Sequence, residues 1–116
     1  MEVASINLKS STADCEENPK IEWNKFDLSI CYKNWSNESV TLKFFDVPHF
    51  KMVSSDELTV STLSDGCVYE VTNSELTASL IKCGEITKEE EFKHWLIGFN
   101  GIGSFIEVVF RGFDEK

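Results

Sequence analysis

The stretch from His94 to Phe113 constrains the fold most. Residues 94–99 are almost wholly apolar, and residues 104–113 are again rich in strand-forming residues. The link between them, residues 100–103, reads Asn-Gly-Ile-Gly, and Asn and Gly both tolerate the positive φ angles of a tight turn. The pattern predicts a C-terminal β-hairpin. A strand that is apolar at nearly every position is typically covered on both faces, so residues 94–99 should be central in a sheet.

Two other segments alternate apolar and polar residues with the period of a half-buried strand. They are residues 26–32 and 40–45, with turn-forming residues between them, so they predict a second hairpin. Pro48 should end or bulge the strand that precedes it, because proline has no amide hydrogen for the ladder. Weaker strand patterns occur at residues 3–8, 50–53, 58–63 and 68–71.

One helix is expected, over residues 73–83. Thr72 and Glu75 have the spacing of a capping box, in which a hydroxyl and a carboxylate satisfy free amides at a helix start. The stripe of Leu76, Leu80 and Cys83 gives the helix one apolar face. Together the patterns predict a single α+β domain over residues 1–116. Its expected architecture is one mostly antiparallel sheet of six to seven strands, with the helix packed on it and a C-terminal hairpin.

The chain is strongly acidic. Its 20 acidic residues outnumber 11 basic ones, which gives a formal net charge of −9. Nucleic-acid binding and binding to anionic membranes both require clustered cations, so this composition argues against them. A basic protein is the natural partner, because opposite fields speed encounter. The alternative is that the acidic surface serves only solubility.

The cysteines and the N-terminus point to a reducing compartment. The chain has no basic start followed by an apolar run and no segment long enough for a membrane helix, so a cytoplasmic location is expected. Cys15, Cys31, Cys67 and Cys83 should then be thiols. None belongs to a CxxC pair, so no zinc site is predicted, and nothing in the sequence indicates another cofactor.

No catalytic motif is evident, and we therefore expect a protein that is not an enzyme. His94, at the start of an apolar strand, is interpreted as a structural residue. Glu107 lies inside an apolar strand and is either exposed or paired, with Arg111 as the expected partner, because an unpaired buried carboxylate is costly. An enzymatic or ligand-binding domain would instead need a pocket that gathers His49, His94 and a carboxylate.

Three segments carry a family resemblance: Val71-Thr72-Asn73-Ser74-Glu75-Leu76, Lys93-His94-Trp95-Leu96-Ile97-Gly98-Phe99-Asn100 and Phe105-Ile106-Glu107-Val108-Val109-Phe110-Arg111-Gly112-Phe113. This pairing of a short helix with a final hairpin resembles small bacterial immunity proteins, including those of contact-dependent growth inhibition systems. The resemblance implies a cytoplasmic inhibitor that binds one cognate toxin domain, usually a nuclease, and blocks its active site or basic substrate surface. It brings no catalytic residues with it.

Under that reading, the contacts should come from exposed acids and aromatics. The candidate toxin-binding residues are Trp35, Asp46, His49, Asp65, Glu70, Glu89, Glu90 and Glu91. Trp35 is proposed as an anchor, since tryptophan is frequent among interface hot spots, although a core position is its alternative. The expected assembly is a monomer or weak dimer. The rival functions are a small acidic accessory or scaffold subunit and a ligand-binding or enzymatic domain.

Overall fold

The computed structural model describes residues 2–6, 19–33, 36–54, 67–72, 74–84, 86–87, 91–99 and 104–115. In these ranges the chain forms nine strands and one helix. In chain order they are β1 (Glu2–Ile6), β2 (Lys20–Asn24), β3 (Asp27–Lys33), β4 (Ser39–Phe45), β5 (His49–Ser54), β6 (Val68–Thr72), α1 (Glu75–Lys82), β7 (Lys93–Gly98), β8 (Ser104–Phe110) and β9 (Gly112–Glu115).

The strands form two antiparallel sheets packed face to face. The first has five strands in the order β1-β6-β7-β8-β5, and the second has four in the order β2-β3-β4-β9. The expected α+β class with mostly antiparallel pairing is confirmed. The expectation of a single sheet of six to seven strands was wrong. Alternation shows which face of a strand is buried, but not which sheet the strand joins.

The chain passes between the sheets at two corners. After β4 the backbone turns at Asp46, whose φ is +53°, and β5 then begins in the other sheet. The second corner is Arg111, which alone separates β8 from β9 and donates its amide to the carbonyl of Phe45 at 3.0 Å. Residues 104–113, expected as one strand, are therefore two strands in different sheets.

A dense core fills the space between the sheets. Apolar residues of β3 and β4 pack against those of β7 and β8, because both hairpins turn one row of alternating side chains inward. Phe44 lies at its centre. Its ring centroid is 4.9 Å from that of Phe110, 5.1 Å from that of Phe113 and 5.9 Å from that of Trp95. The contacts of Phe44 with Phe110 and Trp95 are edge-to-face, a favourable geometry, and the contact with Phe113 is tilted.

The strand β7 is central, as predicted. It lies third of five in its sheet, and residues 94–99 are all buried. Trp95 and Ile97 face the interior between the sheets, while Leu96 belongs to a second apolar cluster with Val71 and Phe105 on the opposite face. The pairing of β7 with β8 confirms the predicted hairpin strands, whereas the turn at 100–103 lies outside the described residues.

The helix is slightly shorter than expected, and its cap is a different residue. Helix α1 begins at Glu75, and its N-cap is Ser74, whose side chain accepts a hydrogen bond from the amide of Thr77. The expected capping role of Thr72 was wrong, since that residue still belongs to β6. Gly84 has a φ of +82°, in the left-handed region where glycine commonly ends helices.

Candidate functional site

A continuous chain of four hydrogen-bonded polar side chains crosses the outer face of the five-stranded sheet. Ser74 Oγ lies 2.7 Å from His94 Nδ1. On the other side of that ring, His94 Nε2 lies 3.1 Å from Glu107 Oε2. The remaining carboxylate oxygen, Glu107 Oε1, lies 3.0 Å from His49 Nε2. We call this set, Ser74, His94, Glu107 and His49, the polar chain.

The strand register explains how these residues meet. Strand β8 lies between β5 and β7, so that His49 on one side and His94 on the other both pair with Val109. Glu107 lies two residues from Val109 on the same face of β8 and therefore reaches both rings. Ser74 is the N-cap of α1 and reaches His94 from there. The sequence separations between members are too long for any local motif to reveal them.

The charge on Glu107 determines which atoms donate and which accept along the polar chain. Hydrogen bonds from His94 and His49 hold the pKa of Glu107 below its usual value, although partial burial opposes them. An ionised carboxylate only accepts, so His94 donates from Nε2. In the neutral imidazole Nδ1 is then an acceptor, and it receives the hydroxyl hydrogen of Ser74. Ser74 Oγ also accepts from the amide of Thr77 at 3.1 Å.

Replacing Glu107 with glutamine should flatten the dependence of stability on acidic pH. The folded-state pKa is lowered from its ordinary value of 4.5, so the carboxylate stabilises the fold above that pH, and this contribution is lost as pH falls through the folded pKa. At pH 7, Glu107→Gln should cost about 1–2 kcal/mol through weakened charge-assisted hydrogen bonds. Urea unfolding from pH 3 to pH 7 measures both effects.

Glu22→Gln is the matched control for this experiment. Glu22 is exposed on strand β2, so its replacement should leave the slope of stability against pH as in the wild type. Parallel acid destabilisation of the wild type and Glu107→Gln would contradict the role given to Glu107.

A pocket of about 460 Å³ lies beside Ser74. Its charged rim includes Glu70, Glu91 and Lys93, and its apolar wall includes residues of β6 and α1. Two of the predicted toxin-binding acids, Glu70 and Glu91, therefore share one concavity. Glu70 is half-buried and lies 3.4 Å from the indole nitrogen of Trp95, which donates to it. Glu91 is exposed and has a φ of +54°.

The other predicted contact residues divide into two groups. Asp46 is exposed, and its carboxylate lies 3.9 Å from Arg111. His49 is half-buried and belongs to the polar chain. The expected pairing of Glu107 with Arg111 was wrong, because the sheet crossing at residue 111 turns that side chain away from the polar chain. Four candidates lie outside the described residues: Trp35, Asp65, Glu89 and Glu90.

Sequence patterns missed an exposed apolar surface at one edge of the sandwich. Ile21, Trp23, Phe26 and Met52 are 36%, 46%, 68% and 50% exposed, respectively. Trp23 contacts Phe50 across the two sheets, with ring centroids 4.8 Å apart. We call these five residues the apolar edge. The signal in the sequence was the alternation of Ile21 and Trp23 with polar neighbours, which marks a strand but not its edge position.

The described part of the chain contains no group of three or more metal-binding side chains. Within the same ranges, no helix has both the length and the apolarity needed to cross a bilayer. The described cysteines, Cys31, Cys67 and Cys83, are free thiols.

The sequence matches no protein-family model and no curated protein. One solved structure is similar, the crystal structure of an uncharacterized protein from Neisseria gonorrhoeae. The alignment covers 100% of this chain and 98% of the other, with a TM-score of 0.52 and 9% sequence identity. At this identity the likeness concerns the fold alone.

Proposed function

We propose that this chain is a bacterial immunity protein, which binds one cognate toxin domain and blocks its active site or basic substrate surface. The observation that carries the proposal is the apolar edge, an exposed surface that includes Trp23 and Phe26. Exposed aromatic side chains gathered in one place are typical of protein-binding surfaces. The partner class, a toxin domain that is usually a nuclease, comes from the resemblance of the helix and the hairpin to immunity proteins.

The register of the two edge strands supports this role for the apolar edge. Ile21 pairs with Ile30, and Trp23 pairs with Leu28, so these side chains share the face that is turned toward the core. On the other sheet, Met52 pairs with the buried Ile106. The apolar interior therefore continues to the surface between β2 and β5. A partner that covers this edge would bury apolar side chains that the fold leaves in water.

The charge of the chain supports a basic partner. The net charge of −9 gives long-range attraction to a domain whose substrate is a polyanion. Asp46 is exposed and lines a pocket of about 440 Å³ together with Phe26, so an acid lies next to the aromatic contact surface. Binding through both features combines an apolar centre with a charged rim, as many protein interfaces do.

The direct test is calorimetry against the C-terminal domain of the protein encoded immediately upstream, at low and at high salt. We expect nanomolar affinity that weakens as salt rises, because salt screens the charge attraction. Tight binding without salt dependence would retain the immunity function and remove the charge argument. Absence of binding would contradict the function itself, and self-association in its place would favour a scaffold subunit.

Trp23→Ala should weaken toxin binding about 10- to 100-fold, because a large aromatic anchor would be lost from the interface. The fold should be little affected, since about half of the side chain is already in water. Calorimetry measures the affinity, and thermal unfolding verifies the fold. Ile81→Ala is the matched control, because Ile81 is also exposed but lies on α1, outside the apolar edge. Equal losses of affinity for both variants, or no loss for Trp23→Ala, would show that the toxin does not bind at the apolar edge.

A further inference from the structure

We propose that Ser74 is a nucleophile that accepts an acyl group from small carboxylic esters bound in the adjacent pocket. The proposal rests on the placement of the serine, its hydrogen bond to His94 and the pocket beside it. It is independent of toxin binding, so either activity can exist without the other.

Ser74 stands between a strand and a helix. Strand β6 ends at Thr72, and α1 begins at Glu75, with the serine as the N-cap. A helix start presents backbone amides and the positive end of the helix dipole, which stabilise negative charge. The amide of Thr77 already donates to Ser74 Oγ at 3.1 Å. This hydrogen bond uses one lone pair of the oxygen and holds the hydroxyl in place, and the second lone pair is available for attack.

His94 is placed as a general base for this hydroxyl. The distance of 2.7 Å between Ser74 Oγ and His94 Nδ1 lies within the range for direct proton transfer. Glu107 accepts from the opposite ring nitrogen at 3.1 Å and so keeps Nδ1 free of hydrogen. Hydroxyl, imidazole and carboxylate follow one another in the order used by serine hydrolases, with the two ring nitrogens exchanged. His49 holds the other oxygen of Glu107 at 3.0 Å.

The pocket determines the class of substrate. Its volume of about 460 Å³ is in the range of small-molecule sites. Val71, Ala78, Ile81 and Phe92 provide apolar lining. Such a lining suits a short apolar acyl chain, and the limited volume leaves little room for a large one.

The reaction balances without a cofactor. Ser74 Oγ forms a bond to the ester carbonyl carbon as the hydroxyl proton moves to His94 Nδ1. The electron pair that the attack placed on the carbonyl oxygen then re-forms the C=O bond as the bond to the leaving oxygen breaks, and that oxygen takes the proton from His94 and departs as an alcohol. Water attacks the acyl-serine by the same route, which releases the carboxylic acid and restores the hydroxyl. Glu107 stabilises the transient imidazolium and is a positioning residue.

The test is covalent labelling of the full chain with an alkyl fluorophosphonate, followed by mass spectrometry of the digested peptides. Labelling forms a bond between Ser74 Oγ and phosphorus and releases fluoride, so it reports the nucleophile without requiring the substrate. We expect one phosphonyl group on Ser74 in the folded protein and none in protein denatured with urea. No labelling of the folded wild type, or equal labelling of several serines, would overturn the proposal.

Two variants sharpen the result. Ser79→Ala, an exposed serine on the same helix, should keep the wild-type labelling rate, whereas Ser74→Ala should abolish labelling. Glu107→Gln should slow labelling by about tenfold or more, because the carboxylate no longer fixes the histidine tautomer. Circular dichroism verifies that each variant is folded. An unchanged rate in folded Glu107→Gln would show that the polar chain does not activate Ser74.

Discussion

Phe44→Ala should lower the free energy of unfolding by about 3–5 kcal/mol. Phe44 is fully buried, and its ring contacts those of Trp95, Phe110 and Phe113. These neighbours come from both sheets, so neither sheet can collapse alone into the cavity that alanine leaves. Equilibrium unfolding in urea measures the loss as a lower midpoint with an unchanged slope.

The matched control is Phe26→Ala, the same substitution at a side chain that is 68% exposed. It should change the free energy of unfolding by less than about 0.5 kcal/mol, because little apolar area leaves the interior. A loss at Phe44 no greater than that at Phe26 would mean that the ring cluster does not form the centre of the core.

Gly98→Ala should cost about 1–3 kcal/mol through overpacking. A Cβ at this position would lie 2.7 Å from Phe105 Cε1 and 3.1 Å from the carbonyl oxygen of Cys67. Phe105 is fully buried and its ring has little room to turn. The Cys67 carbonyl is also constrained, since it accepts the amide of Gly98 at 2.9 Å. The urea midpoint again reports the change.

Gly112→Ala provides the control for a glycine-to-alanine change in a strand. A Cβ there would meet Phe45 Cβ at 3.4 Å, which is ordinary contact. The expected change is within about 1 kcal/mol and is favourable if the smaller entropy of the unfolded chain dominates. If both variants lose the same stability, the cost at residue 98 comes from backbone propensity and not from the contact with Phe105.

Several strands could be predicted because the alternation of apolar and polar residues is a property of neighbouring residues in the sequence. The alternation at residues 26–32 and 40–45 gave β3 and β4 to within a residue or two, and the apolar run at 94–99 gave a central strand. The division into two sheets was not predicted. It depends on the corner at Asp46 and the one at Arg111. Pro48 indicated an interruption near the first corner but not a change of sheet, and residues 104–113 carry no signal of a break at the second.

The candidate site was less accessible to sequence reasoning than the fold. The hydrogen bonds of the polar chain join residues 13, 20 and 58 positions apart, and only the pairing of β5, β7 and β8 brings them together. From the sequence, a chemical site was expected to need His49, His94 and a carboxylate. That carboxylate was not identified as Glu107, for which Arg111 was the expected partner. Ser74 was missed because a serine at a helix start is common and carries no signal of its partner.

The corner at Arg111 has a consequence for the order of folding. Strand β8 completes contacts with β5 and β7, and one residue later β9 pairs with β4 in the other sheet. Neither sheet can be completed during synthesis until the segment that forms β8 and β9 has been made. Such long-range pairings close slowly, on a scale of about milliseconds to seconds. A nascent chain that lacks this segment would leave both the β4 edge and the β5 and β7 edges open, so timely capture by chaperones should matter for its yield.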